Sequence, residues 1–130
     1  MIINIFIHIH ILISMKTENI YINALKKEII FYIGEKQSEN FEIIDKCTIN
    51  DLWFHANNIS SCHVVCKLPE QISKKDLHYV IKVGALLCKN NTNKLKSIKK
   101  VEIIYTYIKN IVKTEVSGCV LAQNTKTIIC

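Results

Sequence analysis

At 130 residues, of which 49% are hydrophobic and 22% charged, the chain is sized for one globular domain with a real core and is too short for two. All 17 basic residues are Lys, and the net charge of +6 favours polyanionic partners in general terms, while the lack of Arg argues against bidentate reading of guanine edges and for point-charge contacts with phosphates. The six Cys are spaced unlike a disulfide framework, because Cys62 and Cys66 share one face of a predicted strand and Cys88 falls on an apolar helix face; they read as reduced thiols of a cytoplasmic protein.

Residues 1–14 are an Ile-rich run, too short to span a bilayer and lacking the basic n-region and small-residue cleavage site of a signal peptide. With Met15 directly following, they are read as an apolar extension, untranslated or disordered, ahead of a single domain over 15–130, and no stable membrane insertion is expected. Two β-type runs at 20–22 and 28–33 flank Asn23 and Lys26-Lys27 and predict a hairpin. Residues 34–40 are polar and turn-like, and 41–44 fit a short helix or strand.

The stretch 51–65, DLWFHANNISSCHVV, is the centre of the chain. As a strand, 51–56 puts Leu52 and Phe54 on one face and Trp53 and His55 on the other. Asn57-Asn58 and Ser60-Ser61 supply turn chemistry, and 62–68 resumes the alternation, with Cys62, Val64, Cys66 and Leu68 on one side and His63, Val65 and Lys67 on the other. Given a cooperating register, Trp53, His55 and His63 meet near one sheet surface.

Pro69 ends that unit, and Ser73 with Asp76 three residues on opens a helix whose Leu77, Val80, Ile81, Gly84, Leu87 and Cys88 form a stripe fit to pack on a sheet. A loop over 90–100 carries Lys94, Lys96, Lys99 and Lys100. Strands are expected at 101–107, 118–122 and 127–129, with Asn124 as a turn residue. The pattern is α+β: an antiparallel or mixed sheet with one long amphipathic helix packed on it.

Four groups carry possible chemistry. Trp53, His55 and His63 suit a surface that stacks on unpaired bases or meets phosphates; on the residues alone, a core Trp with loop-bonding histidines is the commoner arrangement. Zinc on His55, Cys62, His63 and Cys66 is disfavoured, since adjacent Cys62 and His63 point to opposite faces of a strand, and no metal is expected. A nucleophilic Cys62 would need His55 across the hairpin and an oxyanion site in a loop without glycine; a small buried thiol is the simpler reading, and no catalytic residue is assigned. Lysines 94–100 with Lys109 and Lys113 form a candidate basic face, though solvated surface lysines are the commoner case.

The run Asp51-Leu52-Trp53-Phe54-His55, followed eight residues after its His by His63-Val64-Val65, resembles the signature of the NFACT RNA-binding domain (NFACT-R). That family includes the C-terminal part of the ribosome quality-control elongation factors and stand-alone proteins. Upstream, Tyr32-Ile33-Gly34 and Glu39-Asn40 resemble its strand, glycine and Asn segment; downstream, Tyr105-Thr106, the lysines Lys109 and Lys113, and Gly118 resemble its closing elements. The likeness covers roughly 29–130. Ser60-Ser61-Cys62 stands where many members have Pro-Gly-Ser, nearer the stand-alone type, and Tyr107 stands where the family has Pro.

The resemblance implies a non-enzymatic module that binds structured RNA, tRNA or ribosomal RNA, without a cofactor. Its nucleic-acid-binding set on this sequence is Trp53, His55, His63, Lys99, Lys100, Lys109 and Lys113. DNA, suggested by the stand-alone branch, and a ribosome-associated or membrane-associated protein are the alternative partners.

Overall fold

The computed structural model describes residues 16–130, so the reading of residues 1–14 lies outside the described residues. Strands β1 (Lys16–Ile22), β2 (Lys27–Gly34), β3 (Leu52–Ala56), β4 (His63–Cys66), β5 (Glu102–Tyr107) and β8 (Lys126–Ile129) form one sheet in the order β1-β2-β4-β3-β5-β8. Every neighbouring pair is antiparallel. Helix α1 (Gln37–Lys46) joins β2 to β3, and α2 (Lys74–Asn90) joins β4 to β5. A 3-10 turn (Ile108–Asn110) leads from β5 into a separate hairpin of β6 (Ile111–Lys113) and β7 (Val120–Ala122).

Alternation along the two central strands decides the layering. With Trp53 opposite Val65 and Phe54 opposite Val64, the even-numbered residues of β3 and β4 point to one face and the odd-numbered to the other. On one face Phe31, Ile33, Phe54, Val64, Cys66 and Ile103 pack under Val80, Ala85 and Cys88 of α2. On the other, Trp53 and Val65 pack with Ile43 and Ile44 of α1 and with Ile108, and Val120 and Ala122 of the small hairpin close over them. Strands covered on both faces are apolar on both, which is why Leu52-Trp53-Phe54 and Val64-Val65 read as unbroken runs.

The expected hairpins form, and so does the expected helix: Ser73 Oγ accepts from Asp76 N at 3.1 Å and caps α2 at its first turn. Every described strand pair is antiparallel, within the antiparallel or mixed expectation. One feature differs: among the described residues two helices pack on the sheet, one on each face, where one long helix was expected. Helix α1 is short and buries two polar residues, Glu39 and Asn40, beside Ile43 and Ile44, so its apolar stripe is nearly absent from the sequence. Its start is fixed by Glu39, whose Oε1 accepts from Glu35 N at 3.1 Å and Lys36 N at 3.0 Å. Asp51 fixes the entry to β3: Oδ2 accepts from Thr48 N at 2.9 Å and Oδ1 from Leu68 N at 3.0 Å, clipping together the turns before β3 and after β4.

Gly84 allows α2 to lie this close to the sheet, since a Cβ there would stand 2.3 Å from Cζ of the fully buried Phe54. Gly→Ala in a helix gains roughly 1 kcal/mol of propensity, but overpacking a rigid core costs roughly 1–3 kcal/mol or more. At so short a contact the clash wins, so Gly84→Ala should lower stability in chemical denaturation, whereas Leu86→Ala on the exposed side of α2 should be near neutral.

Candidate functional site

Trp53, His55 and His63 meet as the alternation predicts. Trp53 and His55 are two apart on β3, and His63 lies across from them on β4. Trp53 Nε1–H donates to His63 Nδ1 at 3.1 Å. The Trp53 and His55 rings are parallel with centroids 5.6 Å apart, and His63 stands edge-on to both, at 5.4 Å and 4.9 Å. Trp53 and His63 are buried and His55 is half-buried, so the group is the floor of a cavity and not an open stacking surface.

Hydrogen bonding sets the protonation of both imidazoles. His55 Nδ1 lies 2.7 Å from Ala56 O, which only accepts, so Nδ1 carries the proton and Nε2 is left as an acceptor. His63 Nδ1 accepts from Trp53, so its neutral ring carries the proton on Nε2. Burial holds His63 down to about 3, with His55 adding to the effect. Burial also lowers His55, against the bond to Ala56 O, and Lys94 lowers it further.

The cavity measures about 490 Å³. Its walls are the N-terminal turn of α1 (Gln37, Asn40), the β3–β4 loop (residues 57–61) and the β7 side of the small hairpin (residues 118–122). Gly118 seats that hairpin against α1: its φ is +79°, and a Cβ would lie 2.6 Å from Gln37 O. Asn40 Nδ2 donates to Gly118 O at 3.4 Å. Asn40 Oδ1 is buried without a hydrogen-bond partner among the described residues. Cys119, the next residue, is exposed on the same wall.

The rim is tied to the lysine loop. Ala56 N donates to Ser61 Oγ at 2.9 Å, and Cys62 N donates to Thr92 Oγ1 at 3.1 Å; Thr92 in turn donates to Cys88 O at 2.9 Å at the end of α2. Beyond Thr92, the buried Leu95 anchors the loop and leaves Lys94, Lys96, Lys99 and Lys100 exposed.

Antiparallel pairing sorts the remaining charges by sheet end. Lys16 pairs with Ile33, Gly34 with His63, Ala56 with Ile103 and Glu102 with Ile129, so the start of β1, the β3–β4 loop and the lysine loop share one end with the cavity. Lys16, Lys36, Lys94, Lys96, Lys99 and Lys100 are exposed there, against the exposed acids Glu35 and Glu102. Lys109 is at the opposite end of β5, roughly 20 Å away by strand rise, with its amine 5.6 Å from the Tyr107 ring centre. Lys113, on β6, forms an ion pair with Asp45 and lies 5.1 Å over the Phe41 ring. Of the seven residues singled out from sequence, the structure therefore brings five to one end and places Lys109 and Lys113 elsewhere. Gln37 and the hairpin wall were not singled out as site residues from sequence; Asn40 and Gly118, which entered there only through the family resemblance, were the signals.

The zinc and thiol candidates are separated by the sheet itself. His55 and His63 lie on the α1 face, while Cys62 and Cys66 belong to the core under α2. Burial pushes the Cys66 thiol up. Cys62 Sγ donates to Cys88 O at 3.3 Å.

The low pKa of His63 gives a pH signature. The unfolded chain takes up a proton near pH 6.5 that the folded state refuses down to about 3, so this contribution is complete above 6.5 and is lost as pH falls through that window. Stability should drop by about 1.5–2 kcal/mol between pH 6.5 and 5 from this group alone, and denaturation of His63→Asn should show a correspondingly shallower fall over that range.

A family model described as the NFACT protein RNA binding domain matches residues 18–127. Coiled-coil domain-containing protein 25 of Danio rerio is 30% identical over 84 residues, which cover 64% of this chain and 41% of that protein. Its Dictyostelium discoideum homolog is 30% identical over 112 residues, 84% of this chain and 54% of the relative. The chain thus spans about half the length, or less, of these curated relatives. Among solved structures, the C-terminal part of the fibronectin/fibrinogen-binding protein from Streptococcus suis superposes with a TM-score of 0.71 at 24% identity, covering 88% of this chain and 44% of that one, and shares the fold. The chain belongs to the NFACT protein RNA binding domain family.

Proposed function

We propose that the domain is a non-enzymatic module that binds structured RNA, tRNA or ribosomal RNA, at the end of the sheet where the lysine loop meets the cavity. The observation that carries this reading is the gathering of Lys16, Lys36, Lys94, Lys96, Lys99 and Lys100 at the end of the sheet that holds the cavity, with two exposed acids among them. A surface of that sign attracts phosphates and releases counterions on binding. With Lys in every basic position, the contacts are point charges to backbone phosphates and carry little base discrimination. Family membership supports the same ligand class.

Binding is preferred over catalysis for a chemical reason. Ser61 Oγ, in the cavity wall, accepts from Ala56 N and donates to Cys62 O at 2.9 Å, so it is committed to holding the loop. Cys62 faces the other side of the sheet.

Anisotropy of labelled tRNA across a salt series tests the reading. Affinity should fall steeply as salt rises, with a log–log slope that Lys99→Glu with Lys100→Glu makes shallower by about 1–2 while weakening binding roughly tenfold or more. Lys109→Glu, at the far end, should have the smaller effect. Salt-independent binding, or equal losses from both ends, would remove this surface from the interface; duplex DNA as competitor decides between the two nucleic acids.

A further inference from the structure

We infer that the cavity is a receptor for one unpaired nucleobase of the bound RNA, so that the lysines grip the backbone while a single base leaves the stack and enters beside His55. This rests on the RNA-binding reading and specifies what its central pocket takes.

The lining argues for the class of ligand. Phosphates bind at charged surfaces, yet no lysine, aspartate or glutamate lines this cavity. Its groups are imidazoles, the amides of Asn57 and Asn58, the Ser60 hydroxyl, and the aliphatic Ile104 and Leu121. That mixture suits a flat, uncharged molecule with polar edges. The volume of about 490 Å³ falls in the range of small-ligand sites, roughly 300–1,000 Å³, and exceeds what a water or an ion needs.

The two imidazoles add complementarity. Fixed by Ala56 O, His55 presents Nε2 as an acceptor, and His63, fixed by Trp53, keeps its proton on Nε2. An acceptor on one ring and a donor on the other, with ring centres 4.9 Å apart, are the two kinds of group that every Watson–Crick edge calls for, since each base sets a donor beside an acceptor. In a duplex that edge is occupied, so the cavity selects unpaired bases over paired ones and discriminates weakly among the four. The lysine-bearing loop reaches the cavity rim through Thr92, so backbone and base sites are held in fixed relation.

Two RNA hairpins with the same stem, one with a normal loop and one with an abasic loop, provide the test by anisotropy at fixed salt. The normal loop should bind about tenfold tighter, the scale of a single captured base. Ser60→Phe, which fills the mouth from an exposed loop position, and His55→Ala should bring the two affinities together without changing the salt slope. If wild-type protein binds both hairpins equally and in a salt-dependent way, the base pocket is overturned while the lysine surface stands. If the ratio persists in the folded Ser60→Phe protein, the base goes elsewhere and the proposal fails. If neither hairpin shows salt-dependent binding, the RNA reading fails and the pocket falls with it.

Discussion

The pairing register of β3 against β4 is the constraint on which the molecule depends. Placing Trp53 opposite Val65 and Phe54 opposite Val64 sends Phe54 under α2 and Trp53 under α1, and it brings His63 within hydrogen-bonding distance of the Trp53 indole. A slip of one residue would exchange the two faces, exposing the polar group to the helix core and the benzyl ring to the cavity. Asp51 and Ser61 guard the register from outside the strands, the first by clipping the turns at one end and the second by holding the loop at the other. The Trp53–His63 bond guards it from within.

Much of this was legible in the sequence because period-two alternation is a local signal. The faces of Trp53, His55 and His63, the hairpin of β1 and β2, and the Ser73 cap of α2 all follow from neighbouring residues. Helix α1 was legible only as a short helix or strand at 41–44, since its buried side includes Glu39 and Asn40 and its apolar pair covers barely one turn. The cavity was half legible: its floor lies within twelve residues of chain, but its walls come from α1 and from a hairpin near 118–122, which only tertiary contacts bring together. Lysine spacing misled in a similar way. Lys100 and Lys109 are near in sequence, yet an intervening strand carries them to opposite ends of the sheet.

The histidines show how a fold sets the character of a site. Packed next to one another and to Trp53, His63 buried and His55 half-buried, they are kept neutral and tautomerically fixed by backbone and indole, which removes their use as cations and leaves them as one donor and one acceptor. Positive charge is supplied instead by lysines that stay in solvent at the same end of the sheet. Separating hydrogen-bonding groups inside from charge outside avoids the heavy desolvation that a buried ammonium would suffer.

The six thiols are unequal by virtue of the same layering. Cys62, Cys66 and Cys88 are sealed under α2, Cys47 and Cys130 are half-covered with Cys47 pushed up to about 12 by burial, and Cys119 alone stands exposed. Because Cys119 is also part of the cavity wall, next to the glycine that docks the hairpin on α1, a thiol-directed fluorophore would settle at the pocket's edge without any engineered attachment point, giving the native chain a built-in optical reporter of occupancy.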